Sequence, residues 1–276
     1  MSAPIAPGRV MPLDRLKQQL KPISSHLQVV SLADLGVFVC ALGALTFVLF
    51  LPRVAGNQLP DLRSLDTQTR KQEFFAFLEP IVDDVSADVV SEREFVDEVA
   101  AELSASSSIS WSARRKLENL AEYYEVSTDD ADLETEVLPS LIRRIDLVPL
   151  SLVLIQAAKE SGWGTSRFAR EGNNLFGQRC YSPDCGIEPA GAGPNPGFNV
   201  AAFGSVDESV ASYVRNLNTH PQYESFRRMR QQLRKEGKEL SGTLLAESLL
   251  DYSERGEDYV AEIKAMIAQN SLEPND

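Results

Sequence analysis

An apolar run from Leu35 to Leu51 is the feature that most limits how this chain can fold. The run contains no charged residue, and its length of about 17 residues is near the minimum for a helix that crosses a bilayer. It predicts one transmembrane anchor at 35–51, preceded by a cytoplasmic tail at 1–34. A cleaved signal peptide is the alternative, with Val54-Ala55-Gly56 as its cleavage site, but the tail is long and the run exceeds a usual signal core.

Two cysteines favour an oxidising compartment for the rest of the chain. Cys180 and Cys185 lie close together in a loop that contains Pro and Gly, and this spacing permits a small disulfide ring. Such a bond persists outside the cytoplasm, which favours a periplasmic location for everything after the anchor. Two free thiols are the alternative, and basic residues on both sides of the apolar run leave its orientation undecided.

The composition excludes two classes of function. The formal net charge is -13, whereas proteins that bind nucleic acid through its phosphates need clustered Lys and Arg. The two histidines, His26 and His220, lie on opposite sides of the apolar run, which excludes a multi-histidine metal centre. We therefore predict no nucleic-acid partner, no metal and no cofactor.

Apolar residues at helical spacing dominate the chain after the anchor. Pro, Gly, Asn, Asp and Ser at 52–67 predict a linker. An accessory helical region at 68–145 and a catalytic domain at 146–270 follow, with helices predicted near 74–82, 95–103, 110–123, 134–145, 149–160, 206–218, 221–236, 240–249 and 256–269. Two short extended stretches, 186–188 and 198–203, predict a small β-hairpin lobe. The predicted fold class is therefore α+β, mainly α.

Glu160 lies at the C-terminal end of a strongly apolar helix, a position that is unfavourable for a carboxylate. The helix begins after Pro149 and continues without a breaker to Gly162. A carboxylate at a helix C-terminus faces the negative end of the helix dipole, and the apolar neighbours on the same face would desolvate it. Both effects raise the pKa of a carboxyl group, as a general acid near neutral pH requires. A fraying helix end with an exposed Glu160 is the alternative.

The residues around Glu160 resemble the signature of a known enzyme family. Glu160-Ser161-Gly162-Trp163-Gly164-Thr165-Ser166 is followed by Ala169 and by Asn173-Asn174-Leu175-Phe176-Gly177. This combination is similar to that of the glucosaminidase family, glycoside hydrolase family 73, and further segments extend the similarity over roughly residues 68–267. The resemblance implies a lysozyme-like helical domain with a small β-lobe that acts on peptidoglycan beside N-acetylglucosamine, with Glu160 as the catalytic acid.

Cleavage of a glycosidic bond also needs a group that stabilises the positive charge on the sugar ring. Glu188, in the predicted hairpin lobe, is one candidate. The 2-acetamido oxygen of N-acetylglucosamine is another, in which case one essential glutamate suffices. Tyr252 resembles a tyrosine that the family places in its cleft, where its hydroxyl positions water or the acetamido group.

The resemblance also implies a set of sugar-binding residues. Phe176 is expected to stack on a sugar face, while Asn174 and the backbone of Gly177 hydrogen-bond to the sugar. Trp163 is a further candidate for contact with the substrate. The structural alternatives are a core position for Phe176, a turn at Asn174 and a packing role for Trp163.

Two other functions remain open. A lytic transglycosylase or muramidase uses a similar helix-end glutamate on the other linkage of the strand, but the Asn-Asn-Leu-Phe-Gly segment departs from the Gly-Leu-Met-Gln expected there. A non-catalytic wall-binding or assembly protein would use 68–145 as a partner surface. The favoured hypothesis is a single-pass protein of a bacterial inner membrane whose partner is the peptidoglycan glycan strand; the sequence identifies no protein partner.

Overall fold

The computed structural model describes residues 56–106, 108–129, 131–182, 184–189, 197–273 and 276. The predicted tail and the predicted membrane anchor lie outside these residues. Within the part of the chain that is described, no helix is both long enough and apolar enough to cross a membrane. The anchor therefore stays a prediction from the sequence.

Helices make up most of the described chain. In chain order they are α1 (Thr67–Ser106), α2 (Trp111–Tyr123), a π-helical turn (Leu133–Val137) that continues into α3 (Leu138–Arg144), α4 (Leu150–Ser161), α5 (Arg167–Gly172), α6 (Val206–Thr219), a 3-10 turn (Pro221–Tyr223), α7 (Glu224–Lys235), α8 (Gly242–Ala246), a second 3-10 turn (Leu250–Tyr252) and α9 (Glu257–Gln269). The mainly helical α+β class predicted from the sequence is confirmed.

One continuous helix replaces the first two helices that the sequence predicted. α1 contains 40 residues, which corresponds to about 60 Å at the α-helical rise. The sequence prediction covered only two apolar segments of this helix, near 74–82 and 95–103, and Pro80 lies inside the helix. The helix continues because its buried face packs against α3, α4 and α6 along most of its length.

The segment at 56–66, which its composition marked as a linker, lies against the folded domain. It has no helix or strand. The backbone and side-chain nitrogens of Asn57 donate to the two carboxylate oxygens of Asp207 at 2.8 and 2.9 Å. Leu62 is 2% exposed and belongs to the hydrophobic core. The segment therefore has fixed contacts despite its polar composition.

A small antiparallel sheet forms the β-lobe. Its strands are β1 (Arg179–Cys180), β2 (Gly186–Ile187) and β3 (Asn199–Ala201), and their order β1-β3-β2 places β3 in the centre. The sequence predicted β2 and β3 but not β1. The predicted disulfide between Cys180 and Cys185 is present and joins β1 to the residue before β2.

A buried ion cluster holds the connection between α3 and α4. Asp146 is 6% exposed and accepts from Arg234 at 2.8 Å, while the fully buried Arg230 lies 3.6 Å away. Arg230 also donates to backbone carbonyls at the end of α3 and in the connection. These bonds satisfy carbonyls that a helix end leaves without partners, and they fix the point from which α4 starts.

α4 lies at the centre of the helical core. Its residues from Ser151 to Ala158 are all buried, and the helix packs against α1, α8 and α9. A helix that is enclosed on all sides is typical of the middle of a domain. The core therefore holds in place the helix whose last turn carries Glu160.

Candidate active site

The end of α4 has the geometry that the sequence predicted. Gly162 is the C-cap residue, with φ 60° and ψ 47°, a left-handed conformation that glycine adopts without steric cost. Trp163 and Gly164 are also left-handed, with φ 58° and 75°. The chain therefore turns sharply away from the helix directly after Glu160 and Ser161.

Tyr259 of α9 is the hydrogen-bond partner of Glu160. Its hydroxyl donates to Oε1 of Glu160 at 3.0 Å, and the tyrosine itself is 2% exposed. Glu160 is exposed to solvent on its other side. The carboxyl group therefore lies at the boundary between the core and the solvent, with one oxygen held and one free to face a ligand.

Desolvation raises the pKa of Glu160 above its ordinary value, because protein replaces water around the charged form. The hydrogen bond from Tyr259 and the charge of Lys159 lower this pKa, and the charge of Glu262 raises it slightly. Glu262 forms ion pairs with Lys159 and Arg255, both at 2.6 Å, so its own charge is largely balanced. The direction of the shift agrees with the sequence argument, although Glu160 is more exposed than its apolar neighbours implied.

A buried chain of hydrogen bonds ends at Glu160. The hydroxyl of Tyr213 donates to Oε1 of Gln156, and Nε2 of Gln156 donates to the hydroxyl of Tyr259 at 2.9 Å. Gln156 is fully buried one turn before Glu160 on α4. Helical spacing placed Gln156 on the face of Glu160. The sequence carried no signal that would bring α6 and α9, with their tyrosines, to the same place.

Tyr252, a site residue predicted from the sequence, lies next to Tyr259, the hydrogen-bond partner of Glu160. Its half-buried ring stacks on Tyr259 with the centroids 5.4 Å apart. Burial raises the pKa of both tyrosines, so both hydroxyls stay protonated at neutral pH. An open cavity of about 660 Å³ lies beside Tyr252, and Asp251 and Ser253 are among its lining residues.

Asn174, predicted to bind the sugar, uses its side chain within the protein. Its Nδ2 donates to the carbonyls of Gln178 and Ala201, both at 2.9 Å. Its Oδ1 accepts from the backbone nitrogens of Phe176 and Gln178 at 3.2 and 3.1 Å. These four bonds use the hydrogen-bonding capacity of the amide. Asn174 therefore joins the turn to β3, and its role in sugar binding stays a prediction.

Phe176 is buried at the side of the hydrogen-bond chain. It is 4% exposed, and its ring stacks on Tyr213 with the centroids 4.0 Å apart. This contact supports the first tyrosine of the hydrogen-bond chain, and stacking of Phe176 on substrate stays a prediction. The neighbouring Gly177 is exposed, has φ 67°, and has no atom within 4 Å of the position that a Cβ would take. Of these three predicted residues, Gly177 presents an open surface.

Trp163 is a packing residue between the end of α4 and α1. Its ring meets Phe74 and Phe75 edge-on, at centroid distances of 6.0 and 5.3 Å. The Lys71 ammonium lies 4.7 Å from the centroid of the ring, at the distance of a cation–π contact. The indole is thus engaged by α1, which favours the structural alternative over contact with a sugar.

Glu188 lies at the exposed end of β2. Its backbone carbonyl accepts from the Arg167 side chain. Among the described residues, no hydrogen bond or ion pair joins the Glu188 side chain to Glu160. Nor, within the same residues, do three side chains of the kind that bind metal come together. The role of Glu188 as a second catalytic carboxylate stays a prediction.

Comparisons with known proteins bear on this site. The family model described as "Glucosaminidase: Mannosyl-glycoprotein endo-beta-N-acetylglucosaminidase" matches residues 139–272. The protein called "Protein bax" of Escherichia coli (strain K12) is 38% identical over 219 residues, which are 78% of this chain and 75% of that protein. No solved structure gives a significant match. The family match begins at α3 and includes Glu160 with the three residues of its hydrogen-bond chain.

Proposed function

This chain belongs to the glucosaminidase family, and from that premise we propose that it is an endo-beta-N-acetylglucosaminidase that cleaves the glycan strand of peptidoglycan. The family was expected from the signature around Glu160 and is confirmed. A hydrolase of the glucosaminidase type is the coarser statement that the family match supports. The particular bond, the catalytic residue and the mechanism are our proposal.

The main support for this proposal is the position of Glu160, which suits a general acid. A general acid must hold a proton near neutral pH and then accept the charge that remains after the proton has left. Desolvation raises the pKa of Glu160, which favours the protonated form. The Tyr259 hydroxyl, 3.0 Å from Oε1, is placed to hydrogen-bond the carboxylate that forms. Glu160 thus protonates the glycosidic oxygen, and the bond to the sugar breaks as the proton transfers.

We assign the second role to the substrate. The 2-acetamido oxygen attacks the anomeric carbon and carries the positive charge until water adds, a route that needs one essential carboxyl group. Glu262, the carboxylate whose charge acts on Glu160, is occupied by Lys159 and Arg255. Tyr252 lies beside Tyr259 and positions the acetamido group or the water. Glu188 is the alternative second carboxylate.

The location of the enzyme is also part of the proposal. The apolar run at 35–51 would anchor the chain in a bacterial inner membrane, with the hydrolase in the periplasm. The disulfide between Cys180 and Cys185 supports an oxidising compartment. Labelling of single introduced cysteines with a membrane-impermeant maleimide tests it: a label at a site after the run and none before it is expected. The reverse pattern would exclude this topology.

Digestion of purified peptidoglycan tests the activity. The full-length chain in mild detergent is incubated with the polymer, and the new chain ends are identified by mass spectrometry. Reducing N-acetylglucosamine ends are expected. Reducing N-acetylmuramic acid ends would instead identify a muramidase, and anhydro ends a lytic transglycosylase. Binding without cleavage would favour a wall-binding or assembly protein.

A further inference from the structure

Gln156 is a fully buried glutamine that joins two tyrosines behind the candidate site. A carboxamide has one side that donates hydrogen bonds and one that accepts them, so each tyrosine meets a different half of the group. Oε1 faces the hydroxyl of Tyr213, and Nε2 faces the hydroxyl of Tyr259. The proposed function assigns no role to Gln156 or to Tyr213.

Tyr213 determines which half of the amide faces Tyr259. Its side chain is 1% exposed, and Oε1 of Gln156 accepts its proton. If the amide were rotated by half a turn, Tyr213 would face an NH₂ group. Its proton would then have no acceptor among the described hydrogen bonds. Leaving a buried donor unpaired is costly, so Tyr213 holds the donor side of the amide toward Tyr259.

The orientation of the amide then decides where the proton of Tyr259 points. Nε2 of Gln156 donates to the Tyr259 oxygen at 2.9 Å, which leaves the hydroxyl proton for Oε1 of Glu160 at 3.0 Å. A reversed amide would accept that proton, and Glu160 would meet a lone pair instead. An ionised Glu160 needs the donor, whereas a protonated Glu160 can use the lone pair.

We propose that Gln156 is a positioning residue whose amide, oriented by Tyr213, turns the hydroxyl proton of Tyr259 toward Glu160. The device favours the carboxylate form of Glu160 and opposes the desolvation that favours the acid. It therefore stabilises the group that remains once the proton has been delivered. This last consequence rests on the proposed function, but the orientation of the hydrogen bonds does not.

Other charged or titratable groups also lie near Glu160. Lys159 precedes it on α4, and Glu262 of α9 forms ion pairs with both Lys159 and Arg255. Tyr252 and Tyr223 lie beyond Tyr259, and burial raises their pKa values, so they carry no charge at neutral pH. A neutral substitution at Tyr213 leaves all these groups in place. A change in the pKa of Glu160 would then result from a changed orientation of the Gln156 amide.

Tyr213→Phe is the direct test, because it removes one oxygen that does not touch Glu160 and keeps the ring that stacks on Phe176. Without the Tyr213 proton, the amide can reverse when Glu160 is protonated, so the pKa of Glu160 should rise. The pKa is measured by ¹³C NMR of the full-length chain labelled at its glutamate carboxyl carbons. Glu160→Gln identifies the resonance. Tyr124→Phe is the matched control, since Tyr124 is 2% exposed and donates to Glu92.

The outcomes separate this inference from the proposed function. A rise in the Glu160 pKa in Tyr213→Phe, and none in Tyr124→Phe, supports it even if no glycan is cleaved. An unchanged or lower pKa overturns it. If the enzyme is active, the alkaline limb of kcat should move to higher pH in Tyr213→Phe while KM stays constant. In the unsubstituted chain, the chemical shift of the Gln156 side-chain NH₂ group should change with pH with the same midpoint as Glu160. A chemical shift that does not change with this midpoint also contradicts the proposal.

Discussion

The hydroxyl of Tyr259 donates to Oε1 of Glu160 across 3.0 Å and so links the last helix to the end of α4. This bond joins two elements that are far apart in the sequence. It places a neutral donor beside a carboxyl group whose pKa burial has raised.

Glu160→Gln should abolish cleavage of peptidoglycan without unfolding the chain, because the amide keeps the shape of the side chain but cannot deliver the proton. Release of soluble fragments and circular dichroism measure the two properties. Glu102→Gln, at an exposed position on α1, is the control and should leave activity unchanged. Retained activity in Glu160→Gln would remove the central assignment.

The same substitution should change how stability depends on pH. The folded-state pKa of Glu160 is raised, so its contribution to stability is complete below the unfolded-state pKa and is lost as pH rises through the folded-state pKa. The Glu160→Gln variant has no ionisable group at this position, so its stability does not fall in this way as pH rises. Its free energy of unfolding relative to the unsubstituted chain should therefore increase between pH 4 and pH 7, as urea unfolding at each pH would reveal. A difference that does not vary with pH contradicts the raised pKa.

Tyr259→Phe should slow the reaction and raise the pKa of Glu160, because the carboxylate loses its donor. By comparison with other donors to a developing charge, a loss of about tenfold or more in kcat is expected. The alkaline limb of the pH profile should move to higher pH. Stability should fall by about 1–3 kcal/mol, since Nε2 of Gln156 is left buried without an acceptor. Tyr181→Phe, at a position 77% exposed, is the control, and equal effects from both substitutions would argue against the hydrogen bond.

The two tryptophans offer a matched pair for the packing role of Trp163. Trp163→Ala should cost about 2–4 kcal/mol, somewhat less than a fully buried tryptophan, because the indole is partly exposed. Trp111→Ala, at a position 80% exposed, should cost little. Thermal unfolding measures both. If Trp163→Ala weakened substrate binding while leaving the unfolding temperature unchanged, a sugar contact would replace the packing role.

The pairing of Asp146 should make stability fall in acid. Burial raises the pKa of Asp146, but Arg230 and Arg234 outweigh this effect, so the net shift is downward. A lowered folded-state pKa gives stability that is present above the unfolded-state pKa and is lost as pH falls through the folded-state pKa. Asp146→Asn should cost about 3–5 kcal/mol at neutral pH, because it leaves a buried arginine charge uncompensated. Asp83→Asn, on the exposed face of α1, is the control and should not reduce the free energy of unfolding by a comparable amount. Similar losses of stability in both variants would rule out the ion cluster as the cause.

Local patterns predicted the parts of the site that depend on neighbouring residues. The start of α4 after Pro149, its end at Gly162 and the position of Glu160 in its last turn all follow from side-chain spacing and helix-end rules. The disulfide between Cys180 and Cys185 follows from their closeness in the chain. These features need no knowledge of how distant helices pack.

The partners of Glu160 depend on that packing and could not be predicted. Tyr213 and Tyr259 are two among several tyrosines with no local feature to distinguish them, and only the positions of α6 and α9 bring them to Gln156. Asn174 and Phe176 show the structural alternatives that the sequence left open. Their motif suggested a ligand, whereas their side chains build the turn and support Tyr213.

The left-handed backbone of Trp163 has a consequence for where this protein can be divided. A bulky residue with φ 58° is held in an unfavourable conformation, and the aromatic rings of α1 provide the compensating contact. Those rings lie outside the family match at 139–272. A fragment trimmed to that match would expose the indole and lose the contact that supports the bend after Glu160, so the part of the chain that holds this bend extends beyond the family match.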